Sequence, residues 1–226
     1  MTVDDEDEQA SFASPPCFMH EIDPVYMGLA PANDPRAAAD VLRWRKAERA
    51  RLIADRISIN VVDRRLHSKK IMDFLTEAIG NMTGLTISIY WPFRGEPDLR
   101  NWVETVTASN GHLALPVVIK RAAPLIFRHW KPGDLLEPGI WNIPVPVNGD
   151  AIIPDVVIAP VVGFDSGNYR LGYGGGFFDR TLASFDRKPR VFGVGFSQQE
   201  IPTIYPQSHD IAMDAIITEQ GLYKPA

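Results

Sequence analysis

The sequence predicts an α/β protein: a single three-layer domain with a largely parallel sheet flanked by helices. Three observations predict it. Strand-like runs alternate with helical periods along most of the chain, the pattern of strand-helix-strand units. The stretch Asp155-Val156-Val157-Ile158-Ala159-Pro160-Val161-Val162-Gly163-Phe164 is almost continuously apolar, as strands covered on both faces are. Close behind it, Arg170-Leu171-Gly172-Tyr173-Gly174-Gly175-Gly176-Phe177-Phe178-Asp179-Arg180 sets four glycines within five residues where a strand gives way to a helix.

Taken in order, the opening Asp4-Asp5-Glu6-Asp7-Glu8 and the prolines at 15, 16, 24, 31 and 35 cannot bury enough apolar surface to order themselves. Residues 1–36 are therefore predicted to be a disordered acidic, proline-rich tail, and residues 37–226 the domain. From Arg36 to Ile59 the period is helical: Val41, Trp44, Ala47, Leu52 and Ile53 share a face, while Arg43, Arg45, Lys46, Arg49 and Arg51 form a basic cluster. That cluster is either a solvated face or a source of one arginine, Arg45 or Arg49, for an anionic ligand. A second helix spans Arg64 to Ile79. Leu85 to Trp91 alternates like a strand and runs into the loop Pro92-Phe93-Arg94-Gly95-Glu96-Pro97-Asp98. There Asp98 is a candidate N-cap for a helix from Leu99 to Ser109, and Glu96 a loop carboxylate just past a strand end.

Strands follow at Leu113 to Ile119 and Leu125 to Trp130. Prolines keep Gly139 to Pro146 extended and present Trp141 from irregular backbone, as core cover or as a stacking surface for a flat ring. After the glycine run come a helix from Phe177 to Phe185 and strands at Val191 to Phe196 and Asp214 to Thr218.

Composition narrows the function. The 226 residues carry 23 lysines and arginines against 28 acidic residues, a net charge of −5, which does not suit nonspecific nucleic-acid binding. No apolar run reaches the length of a membrane span, and the acidic N-terminus is unlike a secretory signal, so a cytoplasmic protein is expected. The single cysteine, Cys17, excludes an internal disulfide framework and is assigned no role. The histidines at 20, 67, 112, 129 and 209 lack metal-ligand spacing in sequence, so no zinc site is expected.

The glycine run carries the chemistry. Glycine reaches positive φ and lets backbone N–H groups approach a ligand closely, so such a run entering a helix can form a nest for phosphate oxygens. It leaves a buried strand, where open α/β sheets place their ligand sites. It lacks the Gly-Lys-Ser/Thr ending of a Walker loop and the register of a dinucleotide fingerprint. A flexible hairpin is the plain alternative; Arg170, Asp179 and Arg180 at its rims favour phosphate.

Together, Glu96-Pro97-Asp98, Trp141-Asn142-Ile143-Pro144-Val145-Pro146 and Gly163-Phe164-Asp165 followed by Arg170 through Asp179 resemble the 5-formyltetrahydrofolate cyclo-ligase family, also called 5,10-methenyltetrahydrofolate synthetases. The resemblance runs from about Val41 to Ile217. It implies an ATP- and Mg2+-dependent ligase of one-carbon metabolism that turns 5-formyltetrahydrofolate into 5,10-methenyltetrahydrofolate, with release of ADP and phosphate. It also implies that Arg170, Leu171, Gly172, Tyr173, Gly174, Gly175, Gly176, Phe177 and Phe178 surround the ATP phosphates, and that Arg45 reaches ATP from the N-terminal helix. By the same analogy Asp179 and Asp210 hold magnesium, Arg170 and Asp179 are catalytic, and Glu96, Trp141 and Phe178 contact the folate. The expected partners are small molecules, reduced folate and ATP, with no nucleic acid or membrane; a monomer is expected.

Two positions depart from the family pattern. Where the family carries a lysine four residues before its N-terminal arginine, this alignment finds Val41, with Lys46 or Arg49 as substitutes. Where it carries a tyrosine before the magnesium aspartate, this chain has Phe178. Two other readings fit the residues: a non-catalytic folate-binding or regulatory relative, and a sugar-phosphate isomerase using the glycine loop for a monophosphate, with Glu96 or Asp179 as base.

Overall fold

Alternation of apolar side chains along the strands builds a sheet with two covered faces. The computed structural model describes residues 35–224. The predicted tail, with Cys17, lies outside them except for its last two positions, which open the helix α1 (Pro35–Ser58). The chain divides into two compact units, residues 1–44 and 45–226. In the first, the described residues are the opening turns of α1, where Arg43 pairs with Asp40. The second holds the sheet.

Its elements run α2 (Val61–Ile79), β1 (Thr86–Ser88), α3 (Val103–Ala108), β2 (His112–Val117), β3 (Ile126–Trp130), β4 (Leu136–Pro138), β5 (Pro144–Pro146), β6 (Ala151–Ile152), β7 (Val156–Pro160), β8 (Gly163–Phe164), β9 (Arg170–Leu171), α4 (Phe177–Ala183), β10 (Arg190–Val194), β11 (Ala215–Thr218) and β12 (Gly221–Tyr223). The main sheet has the order β12-β11-β10-β7-β1-β2-β3-β6. Its five inner strands, β11, β10, β7, β1 and β2, are parallel. The outer strands β12, β3 and β6 pair antiparallel. The predicted mixed α/β architecture is the observed one.

Period-two alternation sorts the strand residues between two cores. Ile87, Leu113, Leu115, Val156, Ile158, Phe192, Val194 and Ile217 face one core with Ile71, Leu75 and Ile79 of α2 and Val103 and Val106 of α3. Ala114, Val157, Ala159, Val191 and Ile216 face the other with Leu182 of α4 and Phe164. Leu52 of α1 is fully buried, and a Cβ at Gly163 would lie 2.6 Å from its Cδ1. Close approach of this kind recurs at Gly193 in β10, where an added Cβ would sit 2.4 Å from Ile216 Cδ1 and 3.1 Å from Val161 Cγ1. Gly193→Ala is therefore expected to destabilise the protein by about 1–3 kcal/mol through overpacking, read as a lower denaturant midpoint with ligand affinities unchanged.

Several boundaries move. Helix α2 begins at Val61, a turn before the predicted Arg64, because the Asn60 side chain caps it, accepting from the Asp63 N–H at 2.9 Å. Asp98 accepts the N–H of Arg100 at 3.0 Å and opens a 3-10 turn (Arg100–Trp102) before α3. The predicted strand Leu85 to Trp91 pairs regularly only over Thr86–Ser88, since Tyr90 turns inward and its hydroxyl donates to Pro97 O at 2.8 Å. Gly139 to Pro146 is not extended throughout: Trp141 and Asn142 adopt φ of 57° and 60°, and the chain folds back as the β4-β5 hairpin.

The strand order creates one reversal. From β1 the chain crosses through α3 to β2 on one side, while from β7 it crosses through α4 to β10 on the other. The chain thus leaves β1 and β7 in opposite directions, and the carboxyl ends of two such neighbouring strands are where open α/β sheets place ligand sites.

Candidate active site

The loop after β1 buries its carboxylate by turning sharply. Arg94 and Gly95 both take positive φ, 48° and 77°, and the Phe93 N–H then donates to Glu96 Oε2 at 2.8 Å while the Glu96 N–H donates to Phe93 O at 3.2 Å. Glu96 is only 3% exposed, so the alternative of a solvated surface charge is replaced by a buried acid.

The predicted single strand from Asp155 to Phe164 is instead split into β7 and β8, and the loop that follows the β8-β9 hairpin is built by glycine. Gly174 and Gly176 take φ of 88° and 61°, a region other residues enter at a cost. Gly172 leaves room for Arg170, since a Cβ there would lie 2.6 Å from Arg170 Nη1. The buried Arg170 donates to Asp179 Oδ2 at 2.9 Å, with its guanidinium 4.9 Å from the centre of the Phe178 ring. Burial lowers its pKa below the ordinary arginine value, against the pull of Asp179 and Asp210. Arg180 donates to Gly175 O and lies 5.7 Å from the Phe177 ring centre. The Nε atoms of Arg170 and Arg180 are buried without a hydrogen-bond partner. Leu171 is a core side chain in β9, so only its backbone can reach a ligand.

Three arginines of α1, at positions 45, 49 and 56, share one helical face at spacings of four and seven. Arg45 is committed elsewhere: Nε donates to Ile204 O at 2.9 Å, Nη2 to Tyr205 O at 2.8 Å and to Asp210 Oδ2, and Nη1 to Asp210 Oδ1 at 3.3 Å. Arg49 is the arginine on the glycine loop. Its Nε donates to Gly172 O at 2.6 Å, and its guanidinium lies where a Cβ at Gly174 would be 3.4 Å away. Among the described residues no hydrogen bond takes up its Nη atoms. Burial first, and Arg45 second, lower the Arg49 pKa, so this corner favours an anion.

Arg56 was not among the residues expected at the site, yet it joins the two loops. It is fully buried, donating from Nε to Arg94 O at 3.1 Å and from Nη1 to Val161 O at 3.1 Å. Its Nη2 donates to the Tyr173 hydroxyl at 2.6 Å, and that hydroxyl donates to Glu96 Oε1 at 2.7 Å. Arg56 Nη2 itself stands 3.9 Å from Glu96 Oε1. The Phe93 and Tyr173 rings pack at 5.8 Å beside this chain. Burial raises the Glu96 pKa to about 7, opposed by Arg56, the Tyr173 hydroxyl and the Phe93 N–H. Burial and the Glu96 charge push the Tyr173 hydroxyl well above its ordinary value. The available sequence signal for Arg56 was its place on the Arg45-Arg49-Leu52 face.

The remaining candidates flank the glycine loop. Trp141 is 55% exposed, with its ring 6.1 Å from Phe177 in an edge-on contact. Asp179 accepts from Arg170 on Oδ2 and from the Ile211 N–H at 3.3 Å on Oδ1, leaving lone pairs on both oxygens. Asp210 sits beneath Arg45 and also accepts the Gln207 N–H at 2.7 Å; burial opposes its ionisation, but those contacts hold its pKa below the usual carboxylate range. Among the described residues no group of three or more His, Cys, Asp or Glu converges as a metal cage. Hard carboxylate oxygens beside the glycine loop nevertheless fit Mg2+, which takes one or two carboxylates and completes its shell with water and phosphate. No helix among the described residues is long and apolar enough to cross a membrane.

Known proteins of one family resemble this chain in sequence and fold. A model of the 5-formyltetrahydrofolate cyclo-ligase family matches residues 41–219. A 5-formyltetrahydrofolate cyclo-ligase of Mycolicibacterium smegmatis is 30% identical over 148 residues, covering 61% of this chain and 75% of that one. One from Escherichia coli is 29% identical over 146 residues, covering 62% and 80%. Among solved structures, an Aquifex aeolicus 5,10-methenyltetrahydrofolate synthetase superposes with a TM-score of 0.69 at 26% identity, over 80% of this chain and 92% of that one. A 5,10-methenyltetrahydrofolate synthetase from Mycoplasma pneumoniae shares the fold with a TM-score of 0.65 at 22% identity, over 77% and 98%.

Proposed function

Because the chain belongs to the 5-formyltetrahydrofolate cyclo-ligase family, we propose that it is an ATP-dependent enzyme closing 5-formyltetrahydrofolate to 5,10-methenyltetrahydrofolate, with Mg2+ as cofactor and ADP and phosphate as the other products. The observation that carries the reading is the meeting of the buried Glu96 with the glycine loop, through Tyr173, at the one reversal of the sheet. One loop suits a flat ring with N–H donors and the other suits phosphates, and the reaction needs both side by side.

The formyl oxygen is amide-like and leaves poorly as it stands. It attacks the γ-phosphorus and ADP departs; N10 then attacks the activated carbon, loses its proton, and phosphate leaves with the former formyl oxygen. No side-chain nucleophile is required, so the protein acts by positioning and charge stabilisation. Arg49 and Arg170 face the phosphates together with the backbone of Leu171 through Phe178. Glu96 accepts the pterin N–H donors, and Trp141 and Phe178 border the folate. Asp179 is the carboxylate that would hold Mg2+, which neutralises phosphate charge when bound, and Asp210 adds negative charge beside it. We assign the N-terminal nucleotide contact to Arg49 rather than Arg45, because Arg49 is the one on the glycine loop. With that register the position four residues earlier is Arg45, a basic residue, and the apparent loss at Val41 disappears. We further propose that a monomer carries the reaction in the cytoplasm.

The direct test mixes purified protein with 5-formyltetrahydrofolate and Mg2+ and follows the methenyl absorbance with and without ATP. An increase that requires ATP is expected. Folate binding without any increase would point to a non-catalytic relative, and the absence of both would remove the assignment.

A further inference from the structure

Hydrogen bonding between the two loops runs through a single oxygen. Tyr173 lies between Gly172 and Gly174, and its hydroxyl takes one hydrogen bond from Arg56 at 2.6 Å and gives one to Glu96 at 2.7 Å. Its ring packs on Phe93 of the acid loop. The peptide on its N-terminal side, Gly172, is gripped by Arg49. One side chain is therefore anchored in the loop assigned to phosphate and terminates on the carboxylate assigned to the folate ring.

We propose that the Tyr173 hydroxyl couples the two substrate sites, so that nucleotide on the glycine loop and folate on Glu96 each raise the other's affinity. The inference rests on the proposed cyclo-ligase reading. Glycine-rich backbone loses much freedom when it is ordered. Nucleotide that orders Gly172 to Gly176 also fixes Tyr173 against Glu96, so folate then meets a carboxylate already oriented. Folate that holds Glu96 fixes Tyr173 and with it the loop, so nucleotide meets a nest already formed. Whichever ligand comes second bears less of the ordering cost, and linkage requires the two enhancements to be equal. Arg56, fully buried and hydrogen-bonded to two backbone carbonyls, supplies the anchored end of the chain. Tyr173 is on this account a positioning residue whose effect appears as an interaction between ligands.

The test is calorimetric, using the full chain, 5-formyltetrahydrofolate, and an ATP analogue with a non-hydrolysable β,γ bridge plus Mg2+. In the native protein, saturating analogue is expected to tighten folate binding by about tenfold, and saturating folate to tighten the analogue by the same factor. Tyr173→Phe keeps the ring on Phe93 but removes the shared oxygen, and both ratios are expected to fall within about twofold of unity. Tyr173→Met serves the same purpose if the phenylalanine variant does not fold. A purely structural role would weaken each ligand and leave the ratio intact; that result, or a native ratio near one, overturns the coupling while the cyclo-ligase reading stands. Native protein that binds neither ligand overturns both.

Discussion

Glu96→Gln is expected to weaken 5-formyltetrahydrofolate by about 30- to 100-fold while nucleotide measured alone changes by less than about threefold. The substitution keeps shape and volume but removes the charge. Hydrogen bonds to a charged acceptor contribute roughly 1.5–3 kcal/mol, and each 1.4 kcal/mol is a factor of about ten in affinity. Alanine would be a poorer choice, because it would also leave a cavity and strip the Phe93 N–H and the Tyr173 hydroxyl of the acceptor that glutamine retains. Titration calorimetry decides the matter, and equal losses for both ligands would contradict the pocket assignment. A pH signature accompanies it. The Glu96 pKa is raised from 4.5 to about 7 in the folded protein, so the folded state binds the proton more tightly than the unfolded state. Its contribution to stability is present at acid pH and is lost as pH rises through about 7. Denaturant midpoints of the native protein, compared with those of Glu96→Gln, should therefore show an extra decline between about pH 4.5 and 7 that the variant lacks. Folate affinity has the opposite slope, because the pterin donors need the ionised carboxylate: it should rise through the same range and lose that component in the variant.

Asp179→Asn should lower turnover by about three orders of magnitude at ATP and Mg2+ concentrations that saturate the native protein, with folate affinity little changed. Two losses combine. The glycine loop loses the carboxylate best placed to hold the metal, and Arg170 loses the counter-charge that fixes its guanidinium over Phe178. Methenyl absorbance followed across a range of Mg2+ concentrations separates them: a rate restored by excess metal indicates weakened binding, and a rate that stays low indicates misplaced charge. Turnover within tenfold of native would remove Asp179 from the site. Some loss of thermal stability is also expected, because Arg170 is 8% exposed and keeps its charge.

The sequence is most legible where a pattern repeats. The buried run of β7 and the alternation in β2, β10 and β11 identify the inner strands, and the helical period identifies α1 and α2. The glycine run marks its own site, since positive φ at Gly174 and Gly176 is a need that sequence alone expresses. Less legible are features that depend on what lies opposite. The two-residue strands β6, β8 and β9 carry no periodicity of their own and exist through their partners. Whether Glu96 was solvated or buried could not follow from one loop, because its enclosure comes from Arg56 on a helix and Tyr173 on another loop. The choice between Arg45 and Arg49 has the same origin: both lie on one basic face, and tertiary placement alone sends one to Asp210 and the other to Gly172. Asp210 would otherwise read as a turn residue. Arg56 fell in a helix already rich in arginine, where nothing local distinguishes it.

The pairing of β1 with β7 bears on how the protein acquires activity. The Thr86 N–H donates to the Asp155 carboxylate across a sequence separation of 69 residues, and Ile87 pairs with Val156. Contacts of such high order form late, after a large loop has been closed. The Glu96 loop follows β1, and the Tyr173 loop follows β7 through the β8-β9 hairpin, so neither half of the chain should capture folate by itself. A ribosome-bound chain should gain ligand protection only after the segment through α4 has emerged and docked. Reduced folate, supplied during refolding, would then report completion of the sheet and stabilise the last species to form rather than speed the first.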